Sequence, residues 1–324
     1  MTDAARAGGP VASGSAAARV VERVVENLQR AVRAPRSTLE LCILCLIAEG
    51  HLIIEDFPGV GKTVLAKSVA RSLHLSFSRL QFTPDLLPTD VTGVNVFNQR
   101  SGEFEFRPGP VFANVLLVDE INRASPKTQS ALLEAMQEAQ VTIDGVTYGL
   151  EQPFFVVATQ NPIEYEGTYP LPEAQLDRFT ARLSLGYPPF REEAEMLAEQ
   201  TTAPPLDLLQ AVADRDELVG AIAVARSVFV EESVGDYVVT IIRHTRESPL
   251  LALGASPRAG IALLRMAKAR AVALGRDYVV PDDVQAVATA VLAHRVIVAP
   301  EARAAGLRGE DAVERALAEA PSPS

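Results

Sequence analysis

Residues 52–63 read LIIEDFPGVGKT, and this stretch decides the fold. Three apolar residues predict a short buried β-strand, the proline and glycines predict a loop, and a helix is expected to follow the loop. In this order, backbone N–H groups face one point at the positive end of a helix, which is a geometry that binds phosphate. The Lys62 ammonium is then expected to reach the outer phosphates of a nucleotide, and the Thr63 hydroxyl to ligate magnesium.

The loop departs from the phosphate-binding pattern G-x-x-x-x-G-K-[ST] at one position, where Asp56 replaces the first glycine. We expect Asp56 to serve in the turn because aspartate tolerates left-handed backbone better than most residues. The alternative is a glycine-rich turn that contains Lys-Thr without binding phosphate. The residues predicted to contact a nucleotide are Pro58, Gly59, Val60, Gly61, Lys62, Thr63 and Val64.

Composition and charge limit the range of partners. With 30 basic and 41 acidic residues among 324, the formal net charge is −11, and there is no long basic run. Binding to nucleic acid or to an anionic membrane is therefore not expected. The N-terminus lacks the pattern of a signal peptide, and the apolar run at 41–48 is too short to span a bilayer. These features predict a cytoplasmic protein with no membrane insertion.

Cys42 and Cys45 form a C-x-x-C pair inside that apolar run. The pair is consistent with a redox or metal site, or with two cysteines of a hydrophobic core. We favour the core interpretation because no second cysteine pair or histidine cluster completes a zinc site. Two reduced cysteines also fit a reducing compartment.

The first part of the chain alternates between helix and strand, which predicts an α/β fold with a parallel, doubly wound sheet over residues 18–188. Two segments interrupt the alternation and predict β-hairpins, and the second has an Asp144-Gly145 turn, a strong hairpin signal. Core strands are expected at 52–54, 76–81, 115–118 and 154–158, helices at 19–33, 39–48, 63–73 and 125–138, and hairpins at 93–106 and 141–148.

Residues 187–190 read YPPF and mark a boundary. Beyond it the pattern predicts a smaller all-helical domain over 189–318, with helices at 191–200, 215–230, 232–246, 258–274 and 281–293. The Ala/Gly/Ser-rich segment 1–17 and the tail 319–324 are expected to be disordered.

An acidic pair, Asp119-Glu120, directly follows the predicted strand 115–118. Because ligands bind at the carboxyl ends of parallel strands, both carboxylates are expected near the loop. Asp119 can hold Mg²⁺ beside Thr63, and Glu120 can orient the attacking water or accept its proton. The alternative is an ordinary pair of carboxylates at a helix N-terminus, which the helix dipole also favours.

The predicted strand 154–158 ends in the residues TQNP. A polar side chain at this end can hydrogen-bond the attacking water and the γ-phosphate. Asn161 is the first candidate and Gln160 the second. The alternative is turn formation alone, because Asn-Pro is a common turn dipeptide.

Several longer segments carry a resemblance that the loop alone could not establish. The chain resembles the MoxR family of AAA+ ATPases, in the clade with a helix-2 insert and a pre-sensor-1 hairpin, over residues 20–300. The resemblance implies a P-loop AAA+ sheet flanked by helices, followed by a helical lid. The segments are QFTPDLLPTD (81–90), RPGPVF (107–112), DEINR (119–123), EAMQE (134–138), TQNP (159–162) and LPEAQLDRF (171–179).

The resemblance also implies roles for single residues. Lys62 and Glu120 would be catalytic, Asn161 would be sensor 1, and Arg258 would be sensor 2, projecting from the lid. A solvent-exposed arginine at a helix start is the alternative for Arg258. Family members often carry a Val-Ile-Gly-Gln-like segment near the adenine, but residues 24–27 read VVEN, so we name no residue that contacts adenine.

Arg178 would be the arginine finger that reaches the γ-phosphate in a neighbouring subunit. An arginine in that position neutralises charge that develops in the transition state. Arg123 and Arg182 compete for this role. The alternative for Arg178 is an ion pair within its own chain, with Asp177 or Glu173.

The function that the resemblance implies is Mg²⁺-dependent hydrolysis of ATP to ADP by a homo-oligomeric ring, with a hexamer expected. Hydrolysis would drive remodelling or maturation of a partner protein that carries a von Willebrand factor A domain, through a hinge near residues 187–190. The alternatives are a P-loop phosphotransferase for a small molecule, a DNA-dependent motor or loader, and a nucleotide-binding module with little hydrolysis.

Overall fold

The computed structural model describes residues 14–161, 168–191, 193–194 and 205–323. Its centre is a five-stranded sheet in the order β2-β5-β8-β1-β9, and all neighbouring strands are parallel. The strands are β1 (Leu52–Glu55), β2 (Phe77–Gln81), β3 (Gly93–Asn98), β4 (Glu103–Pro108), β5 (Val115–Asp119), β6 (Gln140–Ile143), β7 (Val146–Gly149), β8 (Phe155–Gln160), β9 (Ala181–Leu183), β10 (Leu251–Leu253) and β11 (Ile297–Val298).

Helices cover both faces of the sheet and form the second half of the chain. The predicted parallel α/β sheet and the helical lid are both confirmed. The helices are α1 (Gly14–Gln29), α2 (Arg36–Ile47), α3 (Lys62–Ser72), α4 (Pro88–Thr92), α5 (Pro126–Glu138), α6 (Glu173–Leu176), α7 (Pro205–Leu208), α8 (Arg215–Ser227), α9 (Glu232–Glu247), α10 (Pro257–Ala273), α11 (Pro281–Leu292), α12 (Pro300–Ala304) and α13 (Gly309–Glu319).

The sheet separates two hydrophobic cores. Successive side chains of a strand point to opposite faces, so Leu52 and Ile54 of β1 pack in one core and Ile53 in the other. The core on the Ile53 side is closed by α5. Because both faces are covered, the central strands consist of uninterrupted apolar residues.

The other core is shared between the sheet and the lid. Helix α1 packs against α2 and α3 beside the sheet and also against α8 and α10 of the lid. Buried residues from all of these helices belong to one continuous cluster. The helical lid therefore rests on the N-terminal helices as well as on the connector that follows β9.

Two predicted tails are shorter than expected. Helix α1 begins at Gly14, within the segment predicted to be disordered, and Ala17 is only 1% exposed. Alanine is the best helix former, so this alanine-rich stretch continues the amphipathic helix instead of ending it. Residues 1–13 lie outside the described part of the chain. At the other end, α13 extends to Glu319 and Ala320 is buried in the core.

The lid contains elements that the sequence pattern did not predict. Strands β10 and β11 form a small antiparallel pair, and α7, α12 and α13 were not predicted. The strands have only three and two residues, too few for a periodicity to show. The predicted helix at 191–200 falls mostly outside the described residues.

Both predicted hairpins are present and lie side by side. Asp144 and Gly145 at the turn between β6 and β7 have φ of 50° and 81°, as a two-residue hairpin loop requires. The ring of Phe106 in β4 stacks on Tyr148 in β7 with 4.2 Å between centroids. Asn95 in β3 donates a hydrogen bond of 2.7 Å to Asp144. The hairpins thus form one joined projection.

The cysteine pair lies inside the core. Cys42 and Cys45 are free thiols on α2, and burial raises the pKa of Cys42 to about 12. Within the described ranges, no cluster of three His, Cys, Asp or Glu side chains is placed to hold a metal ion. The core interpretation of the pair is supported. None of the described helices is both long enough and apolar enough to cross a bilayer.

Candidate active site

The loop between β1 and α3 forms an open cradle. Gly59 and Gly61 have φ of 87° and 93°, a left-handed conformation that glycine adopts without steric cost. A Cβ atom at either position would meet no heavy atom within 4 Å, so both glycines face open space. Gly61 is the N-cap of α3, and the unpaired N–H groups at the start of this helix border the same space.

A cavity of about 350 Å³ lies over the cradle, within the usual range for small-molecule sites. Lys62 lies at its floor, where the Nζ atom donates a 2.6 Å hydrogen bond to the carbonyl oxygen of Asp56. Burial lowers the pKa of Lys62, and the carboxylates of Asp56, Asp119 and Glu120 oppose that shift. The described residues that line the cavity are Pro58, Gly59, Gly61, Lys62, Thr63, Arg79, Gln81, Asp119, Glu120, Thr159 and Asn161.

Two of the predicted contact residues turn their side chains away from the cavity. Val60 is buried in the core shared with the lid, and Val64 packs against the same core. Their side chains hold the loop in place, which leaves only their backbone N–H groups available to a ligand.

Asp56 does not have the conformation that we predicted for it. Its φ is not positive, and its side chain is buried with 4% of the residue exposed. The Oδ2 atom accepts hydrogen bonds from the Ser184 hydroxyl at 3.1 Å, the Leu185 N–H at 2.5 Å and the Gly186 N–H at 3.0 Å. Aspartate at this position therefore acts through its carboxylate, which fastens the loop to the connector between sheet and lid.

A second contact joins the loop to the same connector. The rings of Phe57 and Tyr187 are stacked, with 5.6 Å between centroids and an interplanar angle of 16°. Tyr187 is the first residue of the YPPF boundary segment. The loop between β1 and α3 and the start of the lid thus meet through one carboxylate and one aromatic pair.

Asp119 ends β5 at the edge of the cavity. Its Oδ2 atom accepts a 2.7 Å hydrogen bond from Arg79 Nε, and its Oδ1 atom accepts a 3.3 Å bond from the Thr159 hydroxyl. The arginine is a cation in contact with the carboxylate of Asp119, and Thr63 lines the same cavity. A hydroxyl and a carboxylate are ligands that suit Mg²⁺, and the cation on Asp119 shows that this position accepts positive charge. The residues present therefore fit a magnesium ion.

Glu120 is held in a strained conformation beside Asp119. Its φ of 54° lies in the left-handed region, which costs energy for a residue with a Cβ atom. Its N–H donates a 3.0 Å bond to Thr159 Oγ1, which fixes the backbone. The Oε2 atom accepts a 2.7 Å bond from Gln81 and lies 3.1 Å from Arg123 Nη1. The carboxylate is positioned at the cavity and restrained from two sides.

Arg79, Gln81 and Thr159 are site residues that sequence reasoning missed. Arg79 and Gln81 alternate on β2, so they share a face, and β2 is parallel to β5 with Gln81 opposite Asp119. This pairing depends on the order of strands in the sheet, which the sequence pattern did not reveal. Thr159 belongs to the TQNP segment, and its hydroxyl contacts both members of the acidic pair.

Asn161 lines the cavity at the end of β8, as predicted for a residue near the γ-phosphate. Gln160, the second candidate, is still within β8 opposite Glu55, and its carbonyl oxygen accepts a 3.2 Å hydrogen bond from the Asp56 N–H. The structure brings Asn161 to the cavity and uses Gln160 to hold the start of the loop. Residues 162–167 lie outside the described part of the chain.

Arg178 lies apart from the residues that line this cavity. In the described part of the chain its guanidinium makes no hydrogen bond or ion pair, whereas the Asp177 side chain contacts Ser256 and Arg295. The alternative of an ion pair between Arg178 and Asp177 or Glu173 is therefore wrong. Arg178 borders a separate polar pocket with Glu134 and other residues of α5.

Arg258 is the second residue of α10 and is exposed. It too is outside the set of described residues that line the cavity. The N-cap of its helix, Ser256, donates a 3.2 Å hydrogen bond to the Asp177 carboxylate, next to Arg178. The structure thus places the start of α10, and with it Arg258, beside the LDRF segment.

The two competing arginines are engaged within their own chain. Arg123 pairs with Glu120. Arg182 in β9 forms ion pairs with Glu55 at 2.9 Å and with Glu310 at 2.5 Å. Arg182 therefore links the sheet to α13, a structural use of its charge.

Two regions of the chain each match a known family model. Residues 51–181 match the ATPase family associated with various cellular activities (AAA), and residues 243–316 match the AAA lid domain. The matched regions contain the loop, the acidic pair, Arg178 and Arg258. They support the division into a nucleotide-binding sheet and a helical lid.

Three similar proteins extend over nearly the whole chain. An uncharacterized protein YeaC of Bacillus subtilis is 48% identical over 91% of this chain and 92% of its own. Chaperone MoxR1 of Mycobacterium tuberculosis is 41% identical, over 94% of this chain and 82% of its own. A solved structure from Cytophaga hutchinsonii, of a protein assigned as an ATPase, has a TM-score of 0.89 with 37% identity and covers 96% of this chain and 97% of its own. Given this similarity and the site geometry, the chain belongs to the MoxR family of AAA+ ATPases.

Proposed function

We propose that this protein hydrolyses ATP to ADP and phosphate with Mg²⁺ and uses the reaction to remodel a partner protein. The observation that carries the proposal is the convergence of Lys62, Thr63, Asp119 and Glu120 on one cavity at the carboxyl ends of β1 and β5. A phosphate-binding cradle, a metal-ligand pair and a carboxylate for the attacking water are the parts that phosphoryl transfer to water requires.

Each residue of the cavity has a separable role in this proposal. The loop N–H groups and Lys62 hold the phosphates, and Thr63 and Asp119 hold the magnesium ion, which neutralises charge on the phosphate oxygens. Glu120 orients the attacking water, and Asn161 hydrogen-bonds the water or the γ-phosphate. The strained backbone of Glu120 supports a functional role, because such strain concentrates at active sites.

Besides Thr159, three side chains restrain the acidic pair. Arg79 donates a hydrogen bond to the Asp119 carboxylate. Gln81 and Arg123 both contact the Glu120 carboxylate. Magnesium held through Asp119 Oδ2 would compete with Arg79 for that oxygen, and water oriented through Glu120 Oε2 would compete with Gln81. These exchanges would couple nucleotide binding to a rearrangement at the end of β2.

The placement of Arg178 and Arg258 supports a site that is shared between subunits. Both lie beside Asp177 and outside the set of described residues that line the cavity of their own chain, and Arg178 has no described partner. A guanidinium that reaches the phosphates of the next subunit would add positive charge to that of Lys62 where negative charge develops in the transition state. A closed ring makes every such contact equivalent, and a hexamer is the assembly that we propose.

The joined hairpins are the surface that we assign to the partner protein. At the end of the first hairpin Phe97 and Phe104 pack edge to face, and Phe104 is 72% exposed. Exposed aromatic side chains are typical of protein interaction sites. The chaperone name of a relative that is 41% identical supports remodelling, and a von Willebrand factor A domain protein is the proposed client.

A phosphotransferase for a small molecule is the main alternative, and single variants separate it from the proposal. We expect Glu120→Gln to keep ATP binding and to lower phosphate release by roughly 10²- to 10⁴-fold, as for loss of a general base. We expect Arg178→Ala to lower phosphate release with ATP affinity preserved. Full turnover of monomeric Arg178→Ala would support the alternative, and salt-sensitive stimulation by DNA would support a DNA motor.

A further inference from the structure

The strongest unexplained feature is a buried arginine between the lid and the sheet. Arg295 follows α11, and only 2% of its side chain is exposed. Its Nη2 atom donates to the carbonyl oxygens of Asp177 at 3.1 Å and Phe179 at 2.7 Å, the residues on either side of Arg178. The planar guanidinium therefore fixes the backbone from which Arg178 projects.

The same arginine reaches the segment that carries the second exposed arginine. Its Nε atom lies 3.4 Å from Asp177 Oδ1, and the other carboxylate oxygen, Oδ2, accepts a 3.2 Å hydrogen bond from Ser256. Ser256 is the N-cap of α10, accepting from the Ala259 N–H, and Arg258 is the second residue of that helix. One chain of contacts thus runs from Arg295 through Asp177 to the bases of Arg178 and Arg258.

Burying a charged side chain at this position costs free energy, because the charge loses its contact with water. Burial lowers the pKa of Arg295 to about 10, with Asp177 opposing the shift and Arg258 adding to it. Apolar side chains of similar volume often stabilise a fold as well as a buried ion pair does. Stability alone is therefore a weak reason for the arginine, whereas fixing the geometry of two neighbouring arginines requires its directed hydrogen bonds.

We propose that Arg295 is a positioning residue for the shared site, which holds Arg178 and Arg258 in the orientation that meets the nucleotide of the neighbouring subunit. The inference rests on the proposed function, because it assigns Arg295 to the subunit that donates the arginines. It follows that Arg295 variants should lose the donor role and keep the ability to bind nucleotide.

Mixing of subunits tests this directly. Arg295→Met alone is expected to lower turnover about 10²-fold with unchanged ATP affinity, as for displaced catalytic groups. Lys62→Ala subunits bind no ATP but keep both arginines in place. When equal amounts are mixed at random in a ring, an Arg295→Met acceptor lies beside a Lys62→Ala donor at about one interface in four. The mixture should therefore recover roughly a quarter of wild-type turnover.

A reference mixture separates failure of this inference from failure of the shared site. Arg178→Ala mixed with Lys62→Ala must also recover activity; if it does not, the shared site itself is wrong. If turnover recovers in this reference mixture but not in the mixture of Arg295→Met with Lys62→Ala, the proposed role of Arg295 is overturned. Arg276→Met is the matched control, because Arg276 pairs with the buried Asp283 and does not contact Asp177. An equal loss of turnover in Arg276→Met would assign the effect to lid stability.

Arg295→Lys provides a second variant that keeps the positive charge but lacks the planar fork. It is expected to fold and to show the same recovery with Lys62→Ala. Wild-type turnover of pure Arg295→Lys would contradict the proposal, as would loss of folding in both variants, because Arg295 would then serve only the core.

Discussion

The carboxylate of Asp56 accepts a 2.5 Å hydrogen bond from the backbone N–H of Leu185. This contact joins the first residue of the loop between β1 and α3 to the connector that leads to the lid. A hinge near residues 187–190 would therefore begin one or two residues beyond a point that is fixed to the loop. Nucleotide that reshapes the loop would act on the lid through this contact.

Replacing Asp56 with glycine restores the usual loop pattern but is expected to destabilise the protein. The change leaves the N–H group of buried Leu185 and that of half-buried Gly186 without their acceptor. Loss of these bonds should lower the free energy of unfolding by about 2–4 kcal/mol, and Asp56→Asn, which keeps one acceptor oxygen, should lose less. Urea unfolding measures both values. Stability equal to that of the wild type in the Asp56→Gly variant would contradict the assignment.

Removing the cation on Asp119 should make the magnesium position easier to fill. In Arg79→Met the carboxylate loses its 2.7 Å partner, so less Mg²⁺ should be needed for half-maximal binding of a fluorescent ADP analogue. Arg79→Lys keeps a positive charge and serves as the control. An unchanged Mg²⁺ dependence in Arg79→Met would show that Arg79 does not compete for this position.

Acid should destabilise the protein between about pH 6.5 and pH 4. Burial lowers the pKa of His51 to about 4, and burial together with Arg295 lowers that of His294. Both pKa values are lower in the folded than in the unfolded protein, so stability is full above pH 6.5 and falls as the pH decreases. The free energy of unfolding should fall by roughly 1.4 kcal/mol per pH unit for each histidine at the steepest part of the curve.

Replacement of His51 tests this pH dependence. Val156 N–H donates to His51 Nδ1 at 3.1 Å, and the remaining ring N–H donates to the Met136 carbonyl oxygen at 3.0 Å. His51→Gln should be less stable at neutral pH but should show a shallower loss of stability towards pH 4. If the free energy of unfolding of His51→Gln depended on pH as steeply as that of the wild type across this range, the role of His51 would be contradicted.

The parts of the fold that depend on local sequence were predictable. The apolar strands, the glycine loop and the Asp-Gly hairpin each carry a short pattern, and their places in the chain are confirmed. Contacts between distant segments were not predictable in this way. The Asp56 carboxylate meets residues 184–186, and Gln81 meets Glu120 only because β2 lies next to β5.

The same distinction applies to the candidate site. Lys62, Thr63, Asp119, Glu120 and Asn161 follow strand ends, so their common location follows from the rule that parallel strands end at one edge. The relation of Arg178 to Arg258 depends on how the lid packs, and no pattern in the sequence reports that packing. Arg295 carried no signal at all, since a lone arginine after a helix is most often exposed.

Turnover per subunit as a function of protein concentration, with the assembly measured in parallel by analytical ultracentrifugation, tests the shared site most directly. We expect ATP hydrolysis to rise steeply as rings form and Arg178→Ala to remain low at every concentration. Equal turnover in monomer and ring, with full activity in Arg178→Ala, would contradict a site that is completed by the neighbouring subunit.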